Sequence, residues 1–585
     1  MSIVVVAFGT VWLAVSLYTY APVYRKAFFR SIGRSKDPRV YSEATELADD
    51  DLPFIDVLLP AYDESETIGH SIHALREAEY PVEKLGIDVL VEPSDRATRR
   101  ELSRLRRRYE FREIVIPSSY PGARNKPRAL NYGFERTDGD IVGVIDAEDL
   151  VAPGLFKQVV RALVDDGHDY AQGTLDMQNE DDGLLNTLFR GEYGLWYGTV
   201  IPSYFHVGYP VPLGGTTNFV KRPVLEAIAA ERIERFGSPW TDADRVALAD
   251  SERIGVTPWD PRNVTEDFEL GLLLWETGRS MAMLTAVTRE ESPVGLSAWV
   301  RQRTRWQKGK LFTLYQRLSY PPAGFSRKIH IYTQSAMPHI GLINVLGVLF
   351  ITIYVTLVGF HVGPVVAAIL LGGLALALQQ MVIHAIGYWT VTENRGPRRV
   401  LRTGINFVGV PLYWLLQWGS DIRAFVQLAF GHLSWEKTKH TGRHIEAERP
   451  TVAGTIAGFQ LVVSRTDGGW LWAIEKAGTE VARAGRPASS EVEARQNAEI
   501  FSDVLPIARG SDAVFSVDRK NDDWGWKLVS GDRVTAVAPT PSPRLSGSLD
   551  GVDRVRLASE VASLGRTHDV EKRGTESDSG VAESV

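Results

Sequence analysis

The sequence predicts a protein of the α/β class, with a mostly parallel sheet domain between transmembrane helices and a small α+β module after them. Three observations support this expectation. Between residues 51 and 317, short apolar runs alternate with helix-spaced apolar patterns, which is typical of a mostly parallel sheet. On both sides of this region, long apolar stretches contain no charged residue. Beyond residue 450, aromatic strand patterns separated by turn residues occur twice, as in an internal repeat.

The composition excludes several classes of protein. The chain has 585 residues and no Cys, so it contains no disulfide framework, no Cys-ligated zinc site and no catalytic thiol. Its net charge of −7 and its pI near 6.0 argue against a general nucleic-acid-binding protein, and we expect no nucleic-acid partner. The mean hydropathy of −0.11 is typical of a soluble protein, but it averages over very unequal segments.

The first charge-free stretch predicts an N-terminal transmembrane helix at residues 1–24. Residues 2–24 contain no Asp, Glu, Lys or Arg, and about 20 apolar residues suffice to span a bilayer. Basic residues follow at once, beginning with Arg25 and Lys26, whereas a signal peptide has them before its apolar run. The positive-inside rule therefore places the linker of residues 25–51 in the cytosol. A buried core helix is the alternative.

A second charge-free stretch predicts a membrane region of residues 329–431. It contains no charged residue up to residue 392, and a segment with Gly and Pro divides it into helices near 338–360 and 364–388. The apolar residues 404–430 are interrupted by charges, so they fit an interfacial or re-entrant helix pair better than a full span. We therefore expect a multi-pass protein of the cell membrane, with a cytosolic sheet domain and with membrane lipids as partners.

Four short apolar runs in the middle region predict neighbouring strands, at residues 55–59, 87–91, 114–116 and 141–145. Acidic residues follow three of these runs, at Glu64, Glu92, Asp95, Asp146 and Glu148. In open parallel sheets, ligands bind beyond the carboxyl ends of the strands. The carboxylates should therefore converge on one crevice.

Asp146 and Glu148 are one residue apart, directly after the fourth predicted strand. Two carboxylates with this spacing can hold a hard divalent cation, which would in turn bridge a diphosphate. The alternative is a helix N-cap, because acidic residues favour the first turn of a helix.

Two further motifs occur at predicted helices. Glu266 and Asp267 precede an amphipathic helix, where simple capping is the alternative reading. Gln302, Arg305 and Trp306 belong to a basic amphipathic helix predicted at residues 294–318. Such a helix can lie on anionic headgroups and still direct side chains into a site.

In this order, these motifs resemble the processive family-2 glycosyltransferases, which include the cellulose, chitin and hyaluronan synthases. The matching segments are 60–64 (PAYDE), 125–131 (NKPRALN), 146–148 (DAE), 212–218 (PLGGTTN), 265–267 (TED), 302–306 (QRTRW) and 435–438 (WEKT). The resemblance covers about residues 50–440. It implies a GT-A-type nucleotide-sugar-binding domain at residues 52–293.

The resemblance also implies roles for individual residues. Asp146 and Glu148 would bind Mg²⁺ or Mn²⁺ on the diphosphate of the donor, and the family more often has Asp at position 148. Asp267 would be the general base, with Glu266 as its neighbour. Gln302 and Trp306 would contact the acceptor. The nucleotide would be bound by Ala61, Tyr62, Glu64, Glu92, Asp95, Lys126 and Arg305.

The chemistry of sugar transfer requires these residue types. A sugar hydroxyl is a poor nucleophile and needs a carboxylate to take its proton, and a leaving nucleoside diphosphate is stabilised by a cation and Arg. A single base opposite the leaving group predicts inversion at the anomeric carbon. We therefore expect a membrane-embedded inverting hexosyltransferase, with a UDP-sugar as donor and a growing polysaccharide or a lipid-linked glycan as acceptor.

A membrane scaffold or receptor is the alternative function. Its transferase domain would be an inactive relic, and its C-terminal module would bind the partner. The presence of Asp146, Asp267 and Arg305 argues against this alternative, because a relic would have lost some of them.

The C-terminal part predicts a separate module at residues 451–538, after a linker of residues 432–450. The patterns of residues 459–472 and 515–526 resemble each other, and a helix is expected between them at 490–500. The module resembles the YegP-like domain. Its paired Trp residues fit either a binding face or a hydrophobic core. Residues 539–585 are predicted to be largely disordered.

Overall fold

The computed structural model describes two compact units, residues 1–441 and 442–585. In the first unit it describes residues 14, 17–25, 40–241, 244, 256–336, 339 and 364–430, and in the second the strands between residues 451 and 537. The predicted helix at 338–360, the linker at 432–450, the helix at 490–500 and the tail at 539–585 lie outside these residues, apart from the single residue 339.

The first unit is built on an eight-stranded sheet with the order β1-β8-β6-β7-β5-β2-β3-β4. The strands are β1 Val40–Tyr41, β2 Ile55–Ala61, β3 Leu85–Val91, β4 Arg112–Val115, β5 Ile141–Val144, β6 Tyr170–Met177, β7 Asn218–Lys221 and β8 Met281–Glu290. Strand β7 is antiparallel to both of its neighbours, and the other described pairs are parallel. The predicted α/β class and the mostly parallel sheet are confirmed.

Helices connect these strands and bury the faces of the sheet. They are α1 Ile68–Arg76, α2 Arg96–Leu105, α3 Lys126–Phe134, α4 Leu155–Val160, α5 Leu184–Leu195, α6 Ile201–Val207, α7 Arg222–Phe236, α8 Glu266–Glu276 and α9 Leu296–Ser319. Apolar residues of β2, β3 and β5, such as Leu58, Leu90 and Val142, pack with Leu130 of α3 and Leu273 of α8 in one buried cluster. This core fixes α3 and α8 against the sheet.

Three more helices follow in the first unit. They are α10 Pro364–Val391, α11 Gly396–Val408 and α12 Val410–Ala429. Helix α10 packs against α5 and α11, and α12 packs against α9. The predicted helix pair at residues 404–430 therefore corresponds to the end of α11 and to α12.

The membrane prediction receives no support from the described helices. In the part of the chain that the structure describes, no helix combines the length and the apolar character that crossing a bilayer requires. The span predicted at residues 364–388 lies within α10. Of the span predicted at residues 1–24, only residue 14 and residues 17–24 are described.

The second unit contains a seven-stranded antiparallel sheet with the order β13-β14-β15-β12-β11-β10-β9. Its strands are β9 Thr451–Ile456, β10 Phe459–Thr466, β11 Gly469–Lys476, β12 Thr479–Ala484, β13 Ala513–Lys520, β14 Asp523–Ser530 and β15 Arg533–Val537. Strands β10–β12 and β13–β15 each form a meander, and the two meanders join through β12 and β15. These meanders coincide with the two similar sequence patterns. The relation to the YegP-like domain stays a prediction.

Candidate active site

The predicted crevice lies beyond the carboxyl ends of β2, β3 and β5. These three strands are parallel neighbours, so Ala61, Val91 and Val144 end them at one edge of the sheet. The loops that follow carry the acidic motifs of the sequence. The predicted convergence of these loops is confirmed.

The loop after β5 is fixed to the loop before β7. The Asp146 backbone N–H donates to Thr216 Oγ1 at 3.1 Å and to Asp149 Oδ2 at 3.2 Å. Thr216 Oγ1 in turn donates to Asp149 Oδ2. The loop before β7 thus holds the DAE motif in place, which the sequence did not reveal.

Lys126 connects three segments of the site. Asn125 caps α3, because its Oδ1 accepts a hydrogen bond from the Arg128 N–H at 3.0 Å. This cap places Lys126 at the first helical position, where its Nζ pairs with the Asp146 carboxylate. The same Nζ donates to the Gly215 carbonyl oxygen at 2.5 Å.

Gly215 lies at the point where the charged side chains meet. A Cβ atom at this position would lie 3.3 Å from Asp267 Oδ2, 3.4 Å from Lys126 Nζ and 3.7 Å from Asp146 Oδ2. Three residues far apart in sequence are therefore within a few ångströms of one another.

Helix α9 holds the TED motif in place. A Cβ atom on Gly309 would lie 2.0 Å from Thr265 Oγ1, so the two backbones approach closely. Asn263 strengthens this contact, since its Nδ2 donates to Thr313 Oγ1 at 2.9 Å and its Oδ1 accepts from the Thr265 N–H at 3.0 Å. One helix therefore fixes the TED motif and carries Arg305 and Trp306.

The site holds more negative than positive charge. Burial raises the pKa of Asp267 and of Asp146, although Lys126 and Arg305 oppose this shift. Burial and the neighbouring charge of Asp267 raise the pKa of Glu266 to about 7. Burial also raises the pKa values of Asp149 and Glu290 well above their usual range. Such clustering of perturbed carboxylates in a crevice is typical of functional sites.

Asp146 and Glu148 fit a divalent cation in their donor chemistry. Both supply carboxylate oxygens, which hard cations prefer. Beside them, Asp149 Oδ1 is buried and has no hydrogen-bond partner among the residues that the structure describes. However, no three His, Asp or Glu side chains among the described residues converge into a complete metal site. A cation would take its remaining ligands from a bound diphosphate and from water.

The predicted nucleotide-binding residues lie together after β2 and β3. Asp95 caps α2 and accepts hydrogen bonds from the backbone N–H groups of Asp63 at 2.6 Å and Thr98 at 3.1 Å. Glu64 is buried and accepts from Thr67 Oγ1 at 2.7 Å. These hydrogen bonds fix both carboxylates in the loops after β2 and β3. Tyr62, in the same loop as Glu64, is 42% exposed.

Glu92 belongs to a different arrangement from the one that the motif predicts. Its Oε1 lies 2.5 Å from Arg128 Nη1, and both side chains are buried. Arg128 also donates to the backbone carbonyl oxygens of Pro117 and Tyr120. Glu92 is thus half of a buried ion pair, and its contact with a nucleotide stays a prediction.

The predicted acceptor-binding residues Gln302 and Trp306 lie on α9, which packs against α5 and α12. Trp306 packs on the Arg303 guanidinium, whose central carbon lies 4.5 Å from the ring centroid. Glu192 of α5 accepts from Arg303 Nη1 at 2.7 Å and from the Tyr413 hydroxyl at 2.6 Å. Gln302 is buried, and no hydrogen-bond partner for its Oε1 occurs in the described part of the chain.

Sequence reasoning missed several residues of this site. Gly215, Thr216 and Arg303 lie in motifs of the sequence, but no role was predicted for them. Glu192 lies outside every motif. Glu290 ends β8 at the same crevice, and its position after a strand was the signal that could have found it.

Comparison with known proteins agrees with this arrangement. Residues 53–309 match the family model described as "Glycosyltransferase like family 2". The chain is similar to the probable glycosyltransferase YdaM of Bacillus subtilis (strain 168), with 24% identity over 280 residues, which cover 46% of this chain and 58% of the relative. It is also similar to the hyaluronan synthase of Streptococcus pyogenes, with 21% identity over 257 residues, which cover 43% and 55%.

The chain thus spans little more than half the length of the curated relatives that it matches. Among solved structures, it is similar to the mannosyltransferase PcManGT from Pyrobaculum calidifontis in complex with GDP-Man and Mn²⁺. The TM-score is 0.42 with 15% identity, over 72% of this chain and 99% of the other. The match to this family model covers residues 53–309, which is less than half of the 585-residue chain.

Proposed function

We propose that this protein is a membrane-attached inverting glycosyltransferase that transfers a hexosyl group from a nucleotide sugar, expected to be a UDP-sugar. The acceptor is a growing polysaccharide or a lipid-linked glycan. The observation that carries the proposal is the convergence of Asp267, Lys126 and Asp146 beside Gly215. It brings a carboxylate that can take a proton close to an ammonium group that can stabilise a leaving diphosphate.

Asp267 acts as the general base of the transfer. It takes the proton from the acceptor hydroxyl as that oxygen forms a bond to the anomeric carbon. The bond from this carbon to the diphosphate oxygen breaks at the same time, and the nucleoside diphosphate leaves with the electron pair. With Asp267 as the base opposite the leaving group, the transfer needs no covalent intermediate, and the configuration at the anomeric carbon inverts.

Lys126 and Arg305 stabilise the leaving group. Both act electrostatically on Asp146 and Asp267, so both are close enough to meet the charge that develops on the diphosphate. A divalent cation held by Asp146 and Glu148 would supply further stabilisation of this charge.

Membrane attachment is supported by the sequence alone. The charge-free residues 2–24 and 329–392 have the length of bilayer spans, and basic residues follow both. The proposed catalytic domain lies on the cytosolic side, where nucleotide sugars are available.

The proposal is tested by the release of nucleoside diphosphate from the purified full-length protein. UDP-, GDP- and dTDP-sugars are each supplied with Mg²⁺, Mn²⁺ or EDTA, and native lipids are added as acceptor. We expect metal-dependent release from one donor, and loss of this release in Asp267→Asn. The control is Asp50→Asn, an exposed acidic residue remote from the crevice. Absence of release from every donor would overturn the proposal and favour the scaffold alternative.

A further inference from the structure

An apolar groove runs between α10 and α11, away from the transfer site. Val382, Ile386 and Trp389 of α10 face Thr403, Gly404 and Phe407 of α11 across it. The groove is open to the outside and has a volume of about 390 Å³. Val382, Ile386 and Trp389 are between 42% and 51% exposed, so their apolar side chains are accessible along it. An apolar partner can therefore contact them there.

One end of the groove carries positive charge. Arg399 precedes Thr403 and Phe407 by four and eight residues, and residues at this spacing share one face of a helix. The guanidinium of Arg399 lies over the Trp389 ring, 4.0 Å from its centroid, and its Nη2 donates to the Trp389 carbonyl oxygen at 2.5 Å. Arg395 lies exposed at the N-cap of α11.

The other two arginines of this segment are already neutralised. Arg398 Nη2 lies 2.7 Å from Asp181 Oδ1, and Arg402 Nη2 lies 2.5 Å from the same oxygen. The charge available at the end of the groove therefore comes from Arg395 and Arg399. The N-terminus of α11 adds a partial positive charge at this same end.

We propose that this groove binds one acyl chain of an anionic phospholipid, with the lipid phosphate at Arg399. The apolar walls match a hydrocarbon chain in shape and polarity, and the arginine at the end matches a single negative charge. An extended peptide fits less well, because the walls are helices whose backbone groups are already hydrogen-bonded and offer no partners to a second backbone. This inference goes beyond the proposed transfer reaction and does not depend on it.

Native mass spectrometry of the full-length protein in detergent tests the proposal. The protein is titrated with dioleoyl phosphatidylglycerol, with dioleoyl phosphatidylcholine and with glycerol phosphate, which carries the anion without a chain. We expect a one-to-one adduct with phosphatidylglycerol, about fivefold weaker binding of phosphatidylcholine, and no adduct with glycerol phosphate. Arg399→Gln should reduce the affinity for phosphatidylglycerol to that for phosphatidylcholine, and Arg399→Lys should retain most of it.

Gly404→Leu fills the groove and should abolish the phosphatidylglycerol adduct. A Cβ atom at Gly404 meets no atom within 4 Å, and Leu favours a helix more than Gly does, so the variant should fold. The matched control is Gly419→Leu, an exposed helical glycine of α12 with equally open surroundings, which should leave the adduct unchanged. Three results would each overturn the proposal: equal binding of the two lipids, an unchanged adduct in Gly404→Leu, or displacement of the lipid by glycerol phosphate.

Discussion

Helix α8 carries buried carboxylates in two different electrostatic surroundings. At its N-terminus, Glu266 and Asp267 face Lys126, Arg305 and other carboxylates, and burial raises the pKa of both residues. One turn further on, Glu269 is fully buried, with Arg232 Nη1 2.5 Å from its Oε2 and Arg317 Nη2 3.0 Å from its Oε1. Within the scaffold, Glu269 is thus paired with arginines. At the candidate site, the carboxylates outnumber the cations, so a bound ligand or cation can compensate their charge.

Glu276, the last residue of α8, is also paired with arginines. Glu276 lies 2.6 Å from Arg235 Nη1 and 3.3 Å from Arg317 Nε. Since Arg317 belongs to α9 and Arg235 to α7, the network fixes α8 to both neighbours. This rigid attachment allows the unmatched carboxylates at the other end to keep their positions.

The largest effect on activity is expected from a substitution of Asp267. Asp267→Asn should lower the rate of transfer by about 10²–10⁴-fold, because a general base contributes about this factor. The melting temperature should stay unchanged or rise, since the variant removes a poorly compensated buried charge. Donor turnover and thermal unfolding of the purified protein measure the two effects. A variant that keeps more than half of the turnover would contradict the role of Asp267.

Glu269 should respond in the opposite sense. Glu269→Gln should lower the free energy of unfolding by about 3–5 kcal/mol, because it leaves Arg232 buried without its carboxylate and leaves Arg317 paired with Glu276 alone. Denaturant unfolding measures this change. Glu226→Gln on α7, an exposed position, is the control for loss of an acidic residue. A similar small change in both variants would show that the network does not stabilise the fold.

The raised pKa of Glu266 should make the stability of the protein depend on pH. The pKa of Glu266 is raised from 4.5 to about 7 by burial and by Asp267, so the unfolded chain loses this proton at lower pH than the folded chain. Stability is therefore lost as pH rises from about 4.5 to about 7. Glu266→Gln should remove this loss and stabilise the protein at pH 8 by about 1–3 kcal/mol relative to wild type. If the free energy of unfolding of wild type and of Glu266→Gln depended on pH in the same way, a raised pKa of Glu266 would be excluded.

A smaller effect on activity is expected from adding a methyl group at Gly215. Gly215→Ala introduces a Cβ atom 3.3 Å from Asp267 Oδ2, which displaces the carboxylate by a fraction of an ångström and should lower kcat/KM about tenfold. Stability should change little, so steady-state kinetics are the measurement. Gly419→Ala, where the added Cβ meets nothing within 4 Å, should retain full activity. An equal loss in both variants would point to a general effect of substituting glycine.

The sequence predicted the elements whose signals are local. Strands β2, β3 and β5 follow from short apolar runs, and α8 and α9 follow from helical spacing of apolar residues. The crevice followed from the same patterns, because acidic residues at the ends of parallel strands necessarily meet at one edge. The roles of these residues in catalysis came from the resemblance and stay predictions.

The interactions between distant segments could not be predicted. Strand β7 enters the sheet antiparallel between β5 and β6, and nothing in its four residues specifies that direction. Glu92 follows a strand as a nucleotide-binding residue would, but it is bound by Arg128, which lies on a helix 36 positions later. A sequence motif does not indicate which buried partner a charged residue will meet.

By itself, the sequence determined the α/β class, the acidic edge of the sheet and the helix that carries Gln302, Arg305 and Trp306. These features depend on periodicity and on residues close together in the chain. Only the tertiary structure decided that Gly215 is the meeting point of Asp146, Lys126 and Asp267. It also decided that two arginines pair with Glu269, whereas Asp267 lies close to a second carboxylate, that of Asp146. The physical reason is that charge compensation depends on distances in space, which packing of the whole domain sets.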